Sequence, residues 1–201
     1  MPKIVDHNER KERIAEAAWR IVRREGLDSV TVRRVADEMG MSLGSVRHYF
    51  NTHNELLAFC IELLSLRVNQ RIQNLPFTGE LRADMELVIW ELMPLDEERL
   101  GESEIWLAFA GRAASDASIR AISIAVHEEL YAAFKGMMER LKNRQTRSSI
   151  DVEYEARRLH ALVDGLVVHC VTVPGKSGRE ELLMSIVTRH LDSLFDSGVQ
   201  A

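Results

Sequence analysis

Apolar residues in this chain recur three and four positions apart, and no convincing stretch alternates, so the pattern predicts helices throughout and an all-α fold. Ile14, Ala17, Ala18, Ile21 and Val22 share one stripe, which predicts a first helix over residues 8–25 with Gly26 placed for a left-handed cap. Thr31 is a good N-cap for a second helix, whose Val32, Val35, Ala36 and Met39 fall at i, i+3, i+4 and i+7 before Gly40 stops it. Ser42 can then cap a very short helix over 44–49 by accepting from the backbone N–H of Ser45, while Met41 staples onto Val46. Val46 and Phe50 face the first two helices. Gly44, Ser45 and His48 point away, Arg47 and Tyr49 lie on the flanks, and Leu43 falls at the edge of the apolar arc.

Thr52 and Glu55 form a capping box that opens a longer helix, to about residue 73, apolar around much of its circumference. Further helices are predicted over 80–93, 97–114, 117–143, 151–172 and 178–196, with NRQTRSS and PGKSG as connections. This gives about nine helices, divided at the short helix into residues 1–51 and 52–201. With 4 prolines and 11 glycines in 201 residues, little of the chain is left for long irregular connections. No apolar run is long enough to span a membrane, and the first residues lack the apolar core of a signal peptide, so a cytoplasmic protein is expected. Cys60 and Cys170 sit inside apolar helical patterns and read as buried free thiols.

A helix of two turns cannot support itself in water. The one over 44–49 is held by Val46 and Phe50 so that its polar set can touch something else. A helix, a tight turn and a short exposed helix match a helix-turn-helix, the shape that enters a DNA major groove. The net charge of −5 argues against a polyanion partner only as an average. Residues 1–55 carry 10 Lys and Arg against 9 Asp and Glu, or +1, and the remainder carries 16 against 22, or −6.

The stretch IAEAAWRIVRREGLDSVTVRRVADEMGMSLGSVRHYFNTHNELL resembles the signature of the TetR family of bacterial transcriptional regulators over its whole length. The landmarks are Ile14, Ala17, Ala18, Gly26, Thr31, Val35, Ala36, Gly40, Ser42, Gly44, Tyr49, Phe50 and Leu56 at ungapped spacing. LGSVRHYF is also similar to the branch containing the betaine-pathway repressors. Taken with the helix pattern, the resemblance implies a DNA surface of Thr31, Ser42, Gly44, Ser45, Arg47, His48, Tyr49 and His53 on a double-stranded operator. It further implies a larger ligand-binding and dimerisation domain, a palindromic operator bound by a homodimer, and repression relieved by a small-molecule effector. Two positions depart from the family: the common tyrosine is Arg47 here, and the common lysine is His53. Arginine can still reach phosphate or guanine, whereas a largely neutral histidine is a weaker phosphate anchor.

In the larger half, Trp90, Met93, Trp106, Phe109, Arg112, His127, Tyr131 and Met137 could line an effector cavity or simply fill a core. Arg112, among small residues, needs an acidic partner or an anionic ligand. Leu159, Leu162, Val163, Leu166, Val167, Ile186, Val187 and Leu191 on the last two helices could be core or meet a symmetry mate in a four-helix bundle, the arrangement that the resemblance favours. Neither a catalytic nucleophile with its base nor a set of metal ligands is apparent, His160 and His169 being nine apart, so no enzyme, metal or cofactor is expected. The alternative reading is a helical protein–protein interaction module without DNA binding.

Overall fold

The computed structural model describes residues 7–144, 150–173 and 179–196, and among these no strand occurs. In chain order the helices are α1 (His7–Glu25), α2 (Val32–Glu38), α3 (Leu43–Arg47), α4 (His53–Gln73), α5 (Leu81–Leu92), α6 (Glu97–Ala113), α7 (Ala117–Arg144), α8 (Val152–Thr172) and α9 (Arg179–Asp196). A single 3-10 turn, Leu27–Ser29, precedes α2 and was not expected. Most of NRQTRSS and all of PGKSG lie outside the described residues. The chain forms two compact units. One holds the residues up to Arg67 together with Glu104–Ala125, and the other holds Val68–Ser103 with the chain from Val126 onward.

In the first unit α1 buries Ile14, Ala15, Ala17, Ala18, Ile21 and Val22, and the three alanines allow neighbouring backbone to come close. Helix α2 packs on α1 and α3. Two glycines set the turns. At the end of α2, Gly40 takes φ 63°, the Met41 N–H reaches the Ala36 carbonyl at 2.9 Å and the Gly40 N–H reaches that of Asp37 at 3.1 Å, a Schellman closure. Gly26 also has positive φ, 84°, but its ψ of 166° places it in an extended region that only glycine enters readily, not in the left-handed cap expected. Behind these helices Arg67 of α4 bonds Glu16 of α1 at 2.6 Å and lies 5.1 Å over the Trp19 ring. That contact ties α4 to α1.

In the second unit α5 packs along α9, joined by Arg82 to Asp192 at 2.7 Å and by the Thr188 hydroxyl donating to Glu86 at 2.6 Å. Arg71 bonds Glu91 at 2.6 Å and Glu102 at 2.9 Å, which holds its guanidinium above its ordinary pKa, Glu102 being the stronger cause. Lys135 of α7 faces Glu153 of α8 at 3.6 Å. Met85, Ile89, Met93, Phe134, Met138, Leu141 and Leu159 are fully buried. Both cysteines are buried and neither is in a disulfide, and burial pushes the Cys60 thiol far up.

The expected dimer residues divide by burial. Of the eight, Leu159, Val163, Leu166, Val167, Val187 and Leu191 are buried within this chain, and Leu162 and Ile186 are partly open. The physical reason is that α8 is apolar on two faces. Ala156, Leu159, Val163, Leu166, Val167 and Cys170 follow one 3.6-residue stripe inward, while Tyr154, Ala161, Leu162 and Gly165 follow another outward. On α9 Leu182 is 60% exposed, one turn from Ile186.

Candidate DNA-reading surface and effector region

Helix α3 has five residues and depends on its ends and its buried face. Ser42 Oγ accepts from the Ser45 N–H at 3.1 Å and lies 2.8 Å from Ser45 Oγ, so the cap is the one expected. Val46 is 0% and Phe50 3% exposed; burying them contributes about 2 kcal/mol each, enough to hold a helix that would otherwise melt. Gly44, Arg47 and His48 are exposed, and Ser45 and Tyr49 are half-buried. Thr31 caps α2 by accepting from the Arg34 N–H at 3.1 Å. At the start of α4 the capping box is displaced by one residue: Thr52 Oγ1 accepts from the Glu55 N–H at 3.1 Å, but Glu55 accepts from the Asn51 N–H at 2.7 Å and not from Thr52. Ser42→Ala is expected to cost about 1 kcal/mol, read as a lowered urea midpoint at unchanged m.

Two residues that sequence reasoning missed join this surface. His7 packs at a tilt of 43° against the Tyr49 ring, centroids 4.6 Å apart, and lies edge-on 6.0 Å from His48, so the start of α1 closes over the end of α3. Arg33 on α2 is exposed and, among the described residues, is in no ion pair, as is also true of Arg47. By contrast, Arg24 and Arg20 pair with Glu38, and Arg34 pairs with Glu25. A basic side chain already paired offers less to a phosphate, which separates Arg33 and Arg47 from their neighbours. Periodicity would have placed Arg33 on the outer face; the ring contact of His7 is tertiary and leaves no local signal.

His53 is exposed at the start of α4, near Arg112 and Asp116. Partial desolvation, opposed by Asp116 and reinforced by Arg112, draws its imidazole below the ordinary range. Arg112 finds the partner that the sequence left open: it bonds Asp28, in the 3-10 turn, at 2.8 Å and pairs with Asp116 at 3.5 Å. Glu104 bonds Arg23 of α1 at 2.6 Å. The segment Glu104–Ala125 is therefore tied to α1 and to the 3-10 turn.

The expected cavity residues divide between the units. Trp106, Phe109 and Arg112 belong to the first, with Phe109 buried. Trp90, Met93, His127, Tyr131 and Met137 belong to the second, where Met93 and Met137 are core. Around His160, which is 4% exposed, the rings of His127, Phe134 and Tyr131 lie with centroids at 4.3, 5.4 and 6.5 Å. Burial, then His127, draws His160 down to about 4. Arg157 sits 4.8 Å over the Tyr131 ring, and the Trp90 indole N–H is buried without a hydrogen-bond partner.

Among known proteins, residues 14–59 match the family described as bacterial regulatory proteins, tetR family, and residues 81–196 match the BetI-type transcriptional repressor, C-terminal family. The HTH-type transcriptional regulator PksA of Bacillus subtilis (strain 168) is 33% identical over 96% of this chain and 94% of its own. The HTH-type nicotine-responsive transcriptional repressor HdnoR of Paenarthrobacter nicotinovorans is 26% identical over 92% of this chain and 95% of its own. A transcriptional regulator from Rhodococcus sp. Rha1 has a crystal structure that superposes with a TM-score of 0.81 at 26% identity, covering 95% of this chain and 98% of that one. No helix among the described residues is long and apolar enough to cross a membrane. With its capped, outward-facing α3 and these two family matches, the chain belongs to the tetR family of bacterial regulatory proteins and is a DNA-binding transcriptional regulator, not an enzyme.

Proposed function

We propose that the protein is a cytoplasmic repressor that binds a palindromic operator as a homodimer and leaves it when a small amphipathic molecule occupies the second unit. The observation that carries the reading is α3 itself, whose Val46 and Phe50 are spent on packing while Arg47 and His48 stay exposed. A single five-residue helix contacts too few base pairs for specificity, so two copies related by a twofold axis are needed, reading half-sites about 34 Å apart or a multiple of it. Thr31, Ser42, Gly44, Ser45, Arg47, His48, Tyr49 and His53 form the reading surface, with Arg33 added to it. The effector residues are Trp90, His127 and Tyr131. Trp106, Phe109 and Arg112 act on the side of the DNA-reading helices, with Arg112 holding Asp28.

The relative named as nicotine-responsive supports an organic effector that joins an apolar ring to a polar nitrogen. Such a molecule releases DNA only if it binds the DNA-incompetent arrangement more tightly. The test has two stages. Selection from random duplexes is expected to return an inverted repeat whose affinity falls steeply with salt; affinity without salt dependence would instead indicate a protein-interaction module. A thermal-shift screen of small organic cations then identifies stabilising ligands, and an effector is expected to lower operator affinity about 5- to 150-fold at saturation. A ligand that stabilises the protein and leaves operator affinity unchanged is not the effector.

A further inference from the structure

The geometry points to a second kind of ligand: His127, His160 and Asp164 form a three-residue site for a divalent transition-metal ion of the zinc class. His160 and Asp164 are one turn apart on α8, and Nε2 and Oδ2 are 3.5 Å from each other. Bonds of about 2.0–2.2 Å at a tetrahedral ion put neighbouring ligand atoms roughly 3.4 Å apart, so this edge already has the length that an ion requires. His127 comes from α7, and one ligand atom from each of the three residues lies within 4.8 Å of the others. His127 is exposed and stacked on His160 with 27° between the ring planes, so the remaining gap closes by rotation of an exposed side chain without backbone movement.

His160 is also held from outside the site. Phe134 and Tyr131 pack around its ring and limit its orientation, as a ligand bound without loss of entropy requires. Asp164 is 30% exposed at its side chain, and among the described residues no Lys or Arg pairs with it. A half-buried carboxylate without a cation is costly, and a divalent ion would supply the missing charge. Two imidazoles and one carboxylate favour zinc, cobalt or nickel over magnesium or calcium, which take oxygen ligands. Three protein ligands leave a coordination position for water. An ion here would clamp α7 to α8, and it would share His127 with the effector residues proposed above.

Cobalt(II) titration of the full-length protein, stripped with chelator and freed of any affinity tag, tests the site. One ion per chain is expected, with the visible bands of tetrahedral nitrogen and oxygen coordination, displaced stoichiometrically by zinc. His127→Ala removes an exposed side chain and Asp164→Asn keeps the shape of its residue, so both are expected to retain wild-type helicity. Each is expected to weaken metal binding by more than the roughly 10- to 100-fold that follows loss of an outer-shell partner. Zinc is likewise expected to raise the unfolding temperature of the wild type and not of either variant. Absence of saturable uptake at micromolar metal, or unchanged affinity in both folded variants, overturns the site. Either result leaves the DNA reading untouched, since neither variant alters the α3 surface; Asp164→Asn, which lies outside the proposed effector residues, separates loss of the metal from any loss of effector binding that His127→Ala brings.

Discussion

Arg47→Ala is expected to weaken binding to every DNA sequence by a similar factor and to lower the slope of log affinity against log salt by about one, whereas His48→Ala is expected to cost about 1–3 kcal/mol mainly at one base-pair position. The difference follows from where the two side chains stand. Arg47 is exposed on the flank of α3 without an ion-pair partner among the described residues, so its guanidinium can replace one condensed counterion on phosphate. His48 is exposed on the face opposite Val46 and Phe50, and its ring is backed by Tyr49 at 5.3 Å and His7 at 6.0 Å. A ring supported on two sides presents its nitrogens in few orientations, which suits a base edge better than a phosphate. The measurement is operator binding across a salt series for each variant, with single base-pair substitutions in each half-site. Neither side chain is buried, so circular dichroism is expected to match the wild type. Should the folded double variant Arg47→Ala/His48→Ala bind its palindrome as tightly as the wild type, α3 is not the element that reads DNA.

Much of this surface was legible in the sequence because its determinants are local. Caps at Thr31 and Ser42, the glycine stop at Gly40 and the i, i+4 pair Val46/Phe50 each act within a few residues, and each stands where the pattern puts it. Even the displaced box at Thr52 is a local error of one residue, in which the Glu55 carboxylate reaches past the expected donor to Asn51. Contacts made between distant segments were not legible. Nothing in the spacing of Asp28 and Arg112, 84 residues apart, says that they pair, nor that His127 stacks on His160. His160 and Asp164 do have a ligand-like spacing, but it is given meaning by His127, which arrives from another helix. The cavity residues failed to separate from core for a related reason: Met93 and Phe109 have the same apolar periodicity whether a neighbour or a ligand covers them.

Gly165→Leu is expected to leave the subunit folded and to make it monomeric, while Leu166→Glu, one residue further on, is expected to unfold it. The eight apolar residues expected at a dimer interface could not reveal this contrast, because sequence periodicity shows that α8 is apolar without showing which stripe faces the subunit's own core. Leu166 is buried, so glutamate there places a carboxylate in apolar surroundings, one of the few changes that cost more than about 4 kcal/mol. Gly165 has open space where a Cβ would stand, and it shares its face with Tyr154, which is 61% exposed, Ala161 and Leu162. Within the subunit, leucine at this position should improve the helix by up to about 1 kcal/mol, since glycine is the poorer helix former. Across a twofold interface the same leucine would occupy the close approach that glycine permits, and association would be lost. Leu162→Glu/Leu182→Glu provides the companion variant, placing charge on the outward stripes of α8 and α9 without entering the core. Light scattering at micromolar concentration reads assembly, and urea unfolding reads the fold. A Gly165→Leu protein that stays dimeric would place the dimer contact elsewhere, and operator binding by paired α3 helices would then need a different symmetric surface; a wild type already monomeric at that concentration would overturn the dimer itself.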